Sequence, residues 1–284
     1  MKRLLIWAVL FVSFAMFAPV QAHAQNRHNY TVQELPLPNG GGRAWVYLPD
    51  QSAGERVPVV LIGPAGSHLI DGMTLGDGDR PEHIPYARAG FAVVSFDIPG
   101  MPTSDEGEAV VLAARQFKEG DGGVINARAA LALALERFSR LDANNVFVAG
   151  HSSAATLALT LCARIENLRG CVAYAPDVDL VASVGEFGDI VEPFIPGERA
   201  FISSISPIEQ VERIRSPVMI FNARDDDVVP VAAIDAYARR AEQAGVTLNR
   251  VVVARGGHYE SMIDEGIPAG IAWMRAHMAV NPSQ

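Results

Sequence analysis

Six short apolar runs recur along the chain, at residues 57–62, 91–96, 145–149, 171–175, 217–221 and 250–254. Each is nearly continuous instead of alternating, the pattern of a strand covered on both faces in a parallel sheet. Two earlier runs, 30–35 and 44–48, alternate more clearly and flank Pro38-Asn39-Gly40-Gly41-Gly42. That turn-rich stretch predicts an antiparallel hairpin at a sheet edge. Helical spacing fills the gaps. Leu131, Leu135 and Phe138 share a face within 123–139, Ile234, Ala238 and Ala241 within 231–244 before Gly245, and a third helix is predicted over 267–278. Strands alternating with helices predict an α/β fold: a mostly parallel, doubly wound sheet of about eight strands with helices on both faces. The stretch 177–213 interrupts the rhythm with Pro193, Pro196 and Gly197. It reads as a lid-like excursion over the C-terminal edge of the sheet.

The chain begins differently. Lys2 and Arg3 precede an apolar stretch over 4–18, then Pro19 and the small-residue pattern Ala22-His23-Ala24. This is the form of a secretory signal over 1–24, followed by one domain over 25–284, and it implies a periplasmic or secreted protein. The apolar stretch is shorter than the ~20 residues that span a bilayer, so stable membrane insertion is not expected. An oxidising compartment makes Cys162 and Cys171, the two cysteines of the chain, either a disulfide or a pair of small buried apolar residues.

Composition narrows the partners. Of 284 residues 49% are hydrophobic and 19% charged, the balance of a folded globular protein, and the formal net charge is −9. Removing the leader takes away two more positive charges. A chain this acidic without a basic patch excludes nucleic acid as a partner. Oligomeric state has no signature here.

Chemistry concentrates at three strand ends. The run at 145–149 continues Gly150-His151-Ser152-Ser153-Ala154-Ala155 into an Ala/Leu-rich helical stretch. A serine on so tight a turn stands exposed above the sheet, with small residues two before and two after it letting helix and strand cross closely. The run at 217–221 is followed by Asp225-Asp226-Asp227-Val228-Val229-Pro230, and the run at 250–254 by Gly256-Gly257-His258. Serine, aspartate and histidine thus follow three strands in that order. All three fall on the edge where open α/β sheets place ligands. A serine hydroxyl is a weak nucleophile until a histidine takes its proton and a carboxylate fixes that histidine's tautomer.

On these residues the chain resembles the α/β-hydrolase superfamily, whose nucleophile elbow is Gly-x-Ser-x-Gly, with Ala154 in place of the last glycine. Within it, the segments around 161–172 and 206–217 look like dienelactone hydrolases and prolyl oligopeptidase catalytic domains. The resemblance implies a triad of Ser152, His258 and Asp225, the acid chosen by its spacing from the strand end and from Pro230, with Asp226 the runner-up. It implies an oxyanion hole from the amide of Ser153 and one from the loop Gly63-Pro64-Ala65-Gly66-Ser67-His68. Pro64 has no N–H, which points to Ala65, with Gly66 as the alternative donor. His68 and His151 are the expected substrate-binding side chains.

The implied activity is a carboxylic ester hydrolase working through an acyl-enzyme on a small-molecule substrate. A prolyl oligopeptidase-like peptidase is the second reading, and a silent hydrolase fold that only binds is the third. No cofactor and no metal is expected: the acidic turn Gly76-Asp77-Gly78-Asp79 lacks the spacing of a calcium loop.

Overall fold

A computed structural model describes residues 29–50 and 55–279. The leader at 1–24 lies outside these residues. The hairpin is there: β1 (Tyr30–Pro36) pairs antiparallel with β2 (Arg43–Pro49) across the short turn Pro38–Gly40. The remaining strands are β3 (Val57–Ile62), β4 (Ala92–Phe96), β5 (Leu141–His151), β6 (Gly170–Tyr174), β7 (Val218–Ala223) and β8 (Leu248–Val253). They form one eight-stranded sheet in the order β1-β2-β4-β3-β5-β6-β7-β8. β2 meets β4 antiparallel, and every pairing from β4 to β8 is parallel.

The continuous apolar runs are explained by two cores, one on each face of the sheet. Val59, Leu61, Val148, Cys171, Ala173, Val218 and Ile220 point to one core. Their neighbours Val60, Ile62, Phe147, Ala149, Val172, Met219 and Phe221 point to the other, as the two-residue period of a strand requires. Each large apolar side chain among them contributes about 1.5–3 kcal/mol when taken from water, and the polar Ser95 enters the sheet only with its hydroxyl bonded to Ile62 O. The first core is closed by α3 (Val124–Arg137), α4 (Ser153–Arg164) and α7 (Val231–Gln243), through Ala130, Ala158 and Ile234 among others. The second is closed by α1 (Arg80–Arg88) and α8 (Ile267–His277), through Tyr86, Ala87, Ile267 and Met274.

Two helices escape the sequence reading. α1 carries Pro81 and Pro85 and therefore reads as loop. Pro81 sits in the first turn, where no intrahelical N–H is needed. α2 (Gly107–Glu119) buries Ala113, Ala114 and Phe117, an ordinary amphipathic spacing. The excursion at 177–213 folds as α5 (Leu180–Val191) and α6 (Glu198–Ile205), joined through Gly197 at φ 77°. It is tied to α2 by cations: Arg115 donates to Phe194 O at 3.2 Å and Lys118 to Pro196 O at 2.6 Å. Cys162 and Cys171 are free and buried, and burial holds the Cys171 thiol well above its ordinary range.

Candidate active site

β5 runs to His151 and α4 starts at Ser153, so Ser152 is the single residue of the turn. Its backbone takes φ 55°, ψ −123°, a conformation that costs a non-glycine residue of the order of 1–3 kcal/mol. The surrounding bonds hold it there. Ser152 N donates to Tyr174 O on β6 at 2.9 Å, and Ser152 O accepts from Ala155 and Thr156 N at 3.0 and 3.1 Å.

Gly150 shows why the elbow needs small residues. A Cβ there would stand 2.3 Å from Ala154 O, a backbone atom that cannot move without unwinding the start of α4. Gly150→Ala is therefore expected to destabilise the fold by about 1–3 kcal/mol and to lower turnover with it. Denaturant midpoint and aryl ester hydrolysis measure both, and a variant as stable and as active as the parent contradicts this account of the elbow.

His258 follows β8 in a loop shaped by Gly256 and Gly257, at φ 117° and 61°. Its Nδ1 lies 2.9 Å from Asp226 Oδ2, and the Asp226 side chain is 1% exposed. The other oxygen, Oδ1, accepts from Val228 and Val229 N–H, each at 2.9 Å. Burial pushes this carboxyl up, but the bonds from Val229 N–H, His258 and Val228 N–H outweigh it and leave the group below its usual range. A carboxylate gripped this way keeps the hydrogen of His258 on Nδ1 and leaves Nε2 as the acceptor. That Nε2 is buried and unpaired among the described residues.

The expected acid is thus off by one residue. Asp225 does not face His258; it accepts from Gly256 and Gly257 N–H at 3.3 and 2.9 Å. Beyond Ala223, where β7 ends, the chain turns, and consecutive side chains point in different directions. Counting from strand end and proline picks the residue that braces the histidine loop. Its neighbour is the one that reaches the ring.

The oxyanion loop also departs from expectation. Gly66 and Ser67 N–H both donate to Ser153 Oγ, at 2.9 and 3.1 Å, so the serine after the nucleophile ties this loop to the elbow. The Ala65 amide lies on the Asp79 side of this loop and favours the ionised form of that carboxyl. Asp79 also accepts from Gly76 N–H at 2.8 Å, and burial is the main cause that raises its carboxyl above the ordinary range. The Ser153 amide remains at the N-terminus of α4, where backbone N–H groups favour a developing negative charge.

The two expected substrate-binding histidines separate. His68 lies at the surface, with its side chain 73% exposed and Nδ1 2.7 Å from Asp71 Oδ2. His151 is buried behind the loop that carries His258 and offers no open surface to a substrate. Its ring meets that of His258 at a tilt of 45° with centroids 4.6 Å apart, which brings the serine and histidine segments together at one rim. Its second neighbour is Glu82 on α1, whose approach to His151 depends on a helix that the sequence pattern does not reveal. In the acidic turn, Asp77 pairs with Arg80, and among the described residues no group of three or more His, Cys, Asp or Glu side chains is placed to hold a metal ion.

No curated protein sequence matches this chain. Solved structures do. The acylaminoacyl peptidase of Pyrococcus horikoshii superposes with a TM-score of 0.68 at 11% identity, over 90% of this chain and 43% of its own. An esterase of Pyrococcus furiosus gives 0.60 at 15% identity, covering 88% of this chain and 91% of its own. A truncated carbohydrate esterase from gut microbiota gives 0.63 at 16% identity, covering 89% and 98%. At such identities these likenesses establish the α/β-hydrolase fold, and the chain spans under half the length of the peptidase. The sequence itself matches the prolyl oligopeptidase family over residues 80–278, the part that carries the elbow, both aspartates and His258. By that match, the chain belongs to the prolyl oligopeptidase family of serine hydrolases.

Proposed function

We propose that the protein is an exported serine hydrolase that cleaves carboxylic esters through an acyl-enzyme. The observation that carries this reading is the 2.9 Å contact between His258 Nδ1 and Asp226, which leaves Nε2 free on the rim that bears Ser152. In the reaction, Ser152 Oγ attacks the ester carbonyl while Nε2 of His258 takes its proton. The tetrahedral oxyanion is met by the Ser153 amide, and each such donor contributes on the order of 3 kcal/mol. His258 then passes its proton to the departing alcohol. Water repeats the sequence on the acyl-enzyme and frees the acid. Asp226 stays ionised throughout and stabilises the imidazolium.

The ester reading draws on the likeness to the two esterases among the solved structures. The family assignment favours the second reading, a peptidase. Export rests on the basic, apolar and small-residue sections at the N-terminus.

A fluorophosphonate probe is expected to label the purified protein on the peptide that contains Ser152. Assays on p-nitrophenyl esters of increasing acyl length, beside aminoacyl and prolyl p-nitroanilides, decide the substrate. Faster turnover of esters supports the proposal, and faster turnover of anilides replaces it with the peptidase reading. A protein that neither labels nor turns over is a binding protein on a hydrolase fold.

A further inference from the structure

The residue inside the elbow does more than fill space. His151 ends β5 with its side chain 5% exposed. Its Nε2 is 2.9 Å from the backbone carbonyl of His258, and its ring lies 4.6 Å from the His258 ring and 5.7 Å from that of Tyr259. A carbonyl only accepts, so the contact places a hydrogen on Nε2 of His151. The opposite nitrogen, Nδ1, faces Glu82 Oε1 at 3.5 Å, and that carboxylate is itself only 10% exposed. Glu82 belongs to α1, which packs against α8, β2 and β4, so the chain of contacts starts on a rigid element.

We propose that His151 is a positioning residue that sets the orientation of His258 through its bond to the His258 backbone carbonyl and its ring contact. The inference rests on the serine hydrolase reading above. Asp226 fixes one atom of the His258 ring, and Asp225 fixes the two amides that precede it. Neither sets the peptide plane that follows. His151 does, and with it the direction in which Nε2 points. Proton transfer tolerates little error here, since a displacement of about 1 Å costs on the order of a hundredfold in rate.

The test compares His151→Phe, which keeps a ring but has no N–H, with His151→Gln, whose amide nitrogen reaches about as far as Nε2. Each is measured for kcat and KM on p-nitrophenyl acetate, for fluorophosphonate labelling rate and for denaturant midpoint. The phenylalanine variant is expected to lose about 30- to 100-fold in kcat and in labelling rate, with KM within about twofold. The glutamine variant is expected to recover to within about fivefold of the parent.

Equal losses in the two His151 variants overturn the proposal, as does a loss that follows the denaturant midpoint or appears in KM alone. A parent protein that is not labelled at all overturns the hydrolase reading and this inference with it. A labelled parent with an unimpaired phenylalanine variant overturns this inference alone.

Discussion

Ser152→Ala is expected to abolish fluorophosphonate labelling and to lower ester turnover by about 10⁵- to 10⁶-fold, the loss that follows removal of a triad nucleophile. The denaturant midpoint is expected to stay close to that of the parent. The separation of activity from stability follows from how the elbow is held. Ser152 is fixed through its backbone, by Tyr174 O on one side and the amides of Ala155 and Thr156 on the other, and alanine keeps all three bonds. Alanine also accepts the same φ of 55° at a similar cost to serine. What disappears is the hydroxyl. The neighbouring Ser153 cannot replace it: its Oγ already accepts from Gly66 and Ser67 N–H, and it has no histidine to take its proton. Residual turnover then comes from the oxyanion donor and binding alone. A variant that still labels at the same rate places the nucleophile elsewhere and removes the basis of the proposed function.

The sheet was legible because a strand buried on both faces leaves a continuous apolar run, and 57–62 needs no tertiary information to be read. The elbow was legible for a local reason too. Gly150 lacks a side chain because a Cβ there would meet the Ala154 backbone, a constraint set within five consecutive residues. The direction of a side chain in a turn is another matter. Asp225 and Asp226 are chemically identical, and which one meets His258 depends on where β7 stops and how the loop after β8 approaches it. A local signal did exist. Asp226 accepts from the amides two and three residues on, a turn that aspartate favours and that holds its second oxygen fixed for the histidine. α1 was missed because Pro81 and Pro85 mask its helical spacing, and the approach of Glu82 to His151 was missed with it. The role of Ser153 Oγ was missed because the resemblance directs attention to its amide, while the hydroxyl contact with 66–67 bridges more than 80 residues.

The two adjacent aspartates give the sharpest test of the site. Asp226→Asn is expected to lower kcat about 10³- to 10⁴-fold with little change in KM, whereas Asp225→Asn costs less than about tenfold. An asparagine at 226 keeps the shape but no longer enforces the hydrogen on Nδ1, so His258 adopts the tautomer that cannot accept from Ser152. An asparagine at 225 still offers a carbonyl oxygen to Gly257 N–H, and the loop keeps most of its support. Stability gives the same pair an independent readout. The Asp226 carboxyl lies below its ordinary range in the folded chain, so it contributes stability that is present above the unfolded-state value of about 3.9. That contribution is lost as pH falls through the folded value, when both states bind the proton. Asp226→Asn should therefore be less stable than the parent at pH 7, with the gap narrowing towards pH 3. Denaturant melts at the two pH values, beside kcat for each variant at pH 7, measure this. A larger catalytic loss from Asp225→Asn would return the acid to the residue that the spacing rule selects, and would require the loop after β8 to turn the other way in solution.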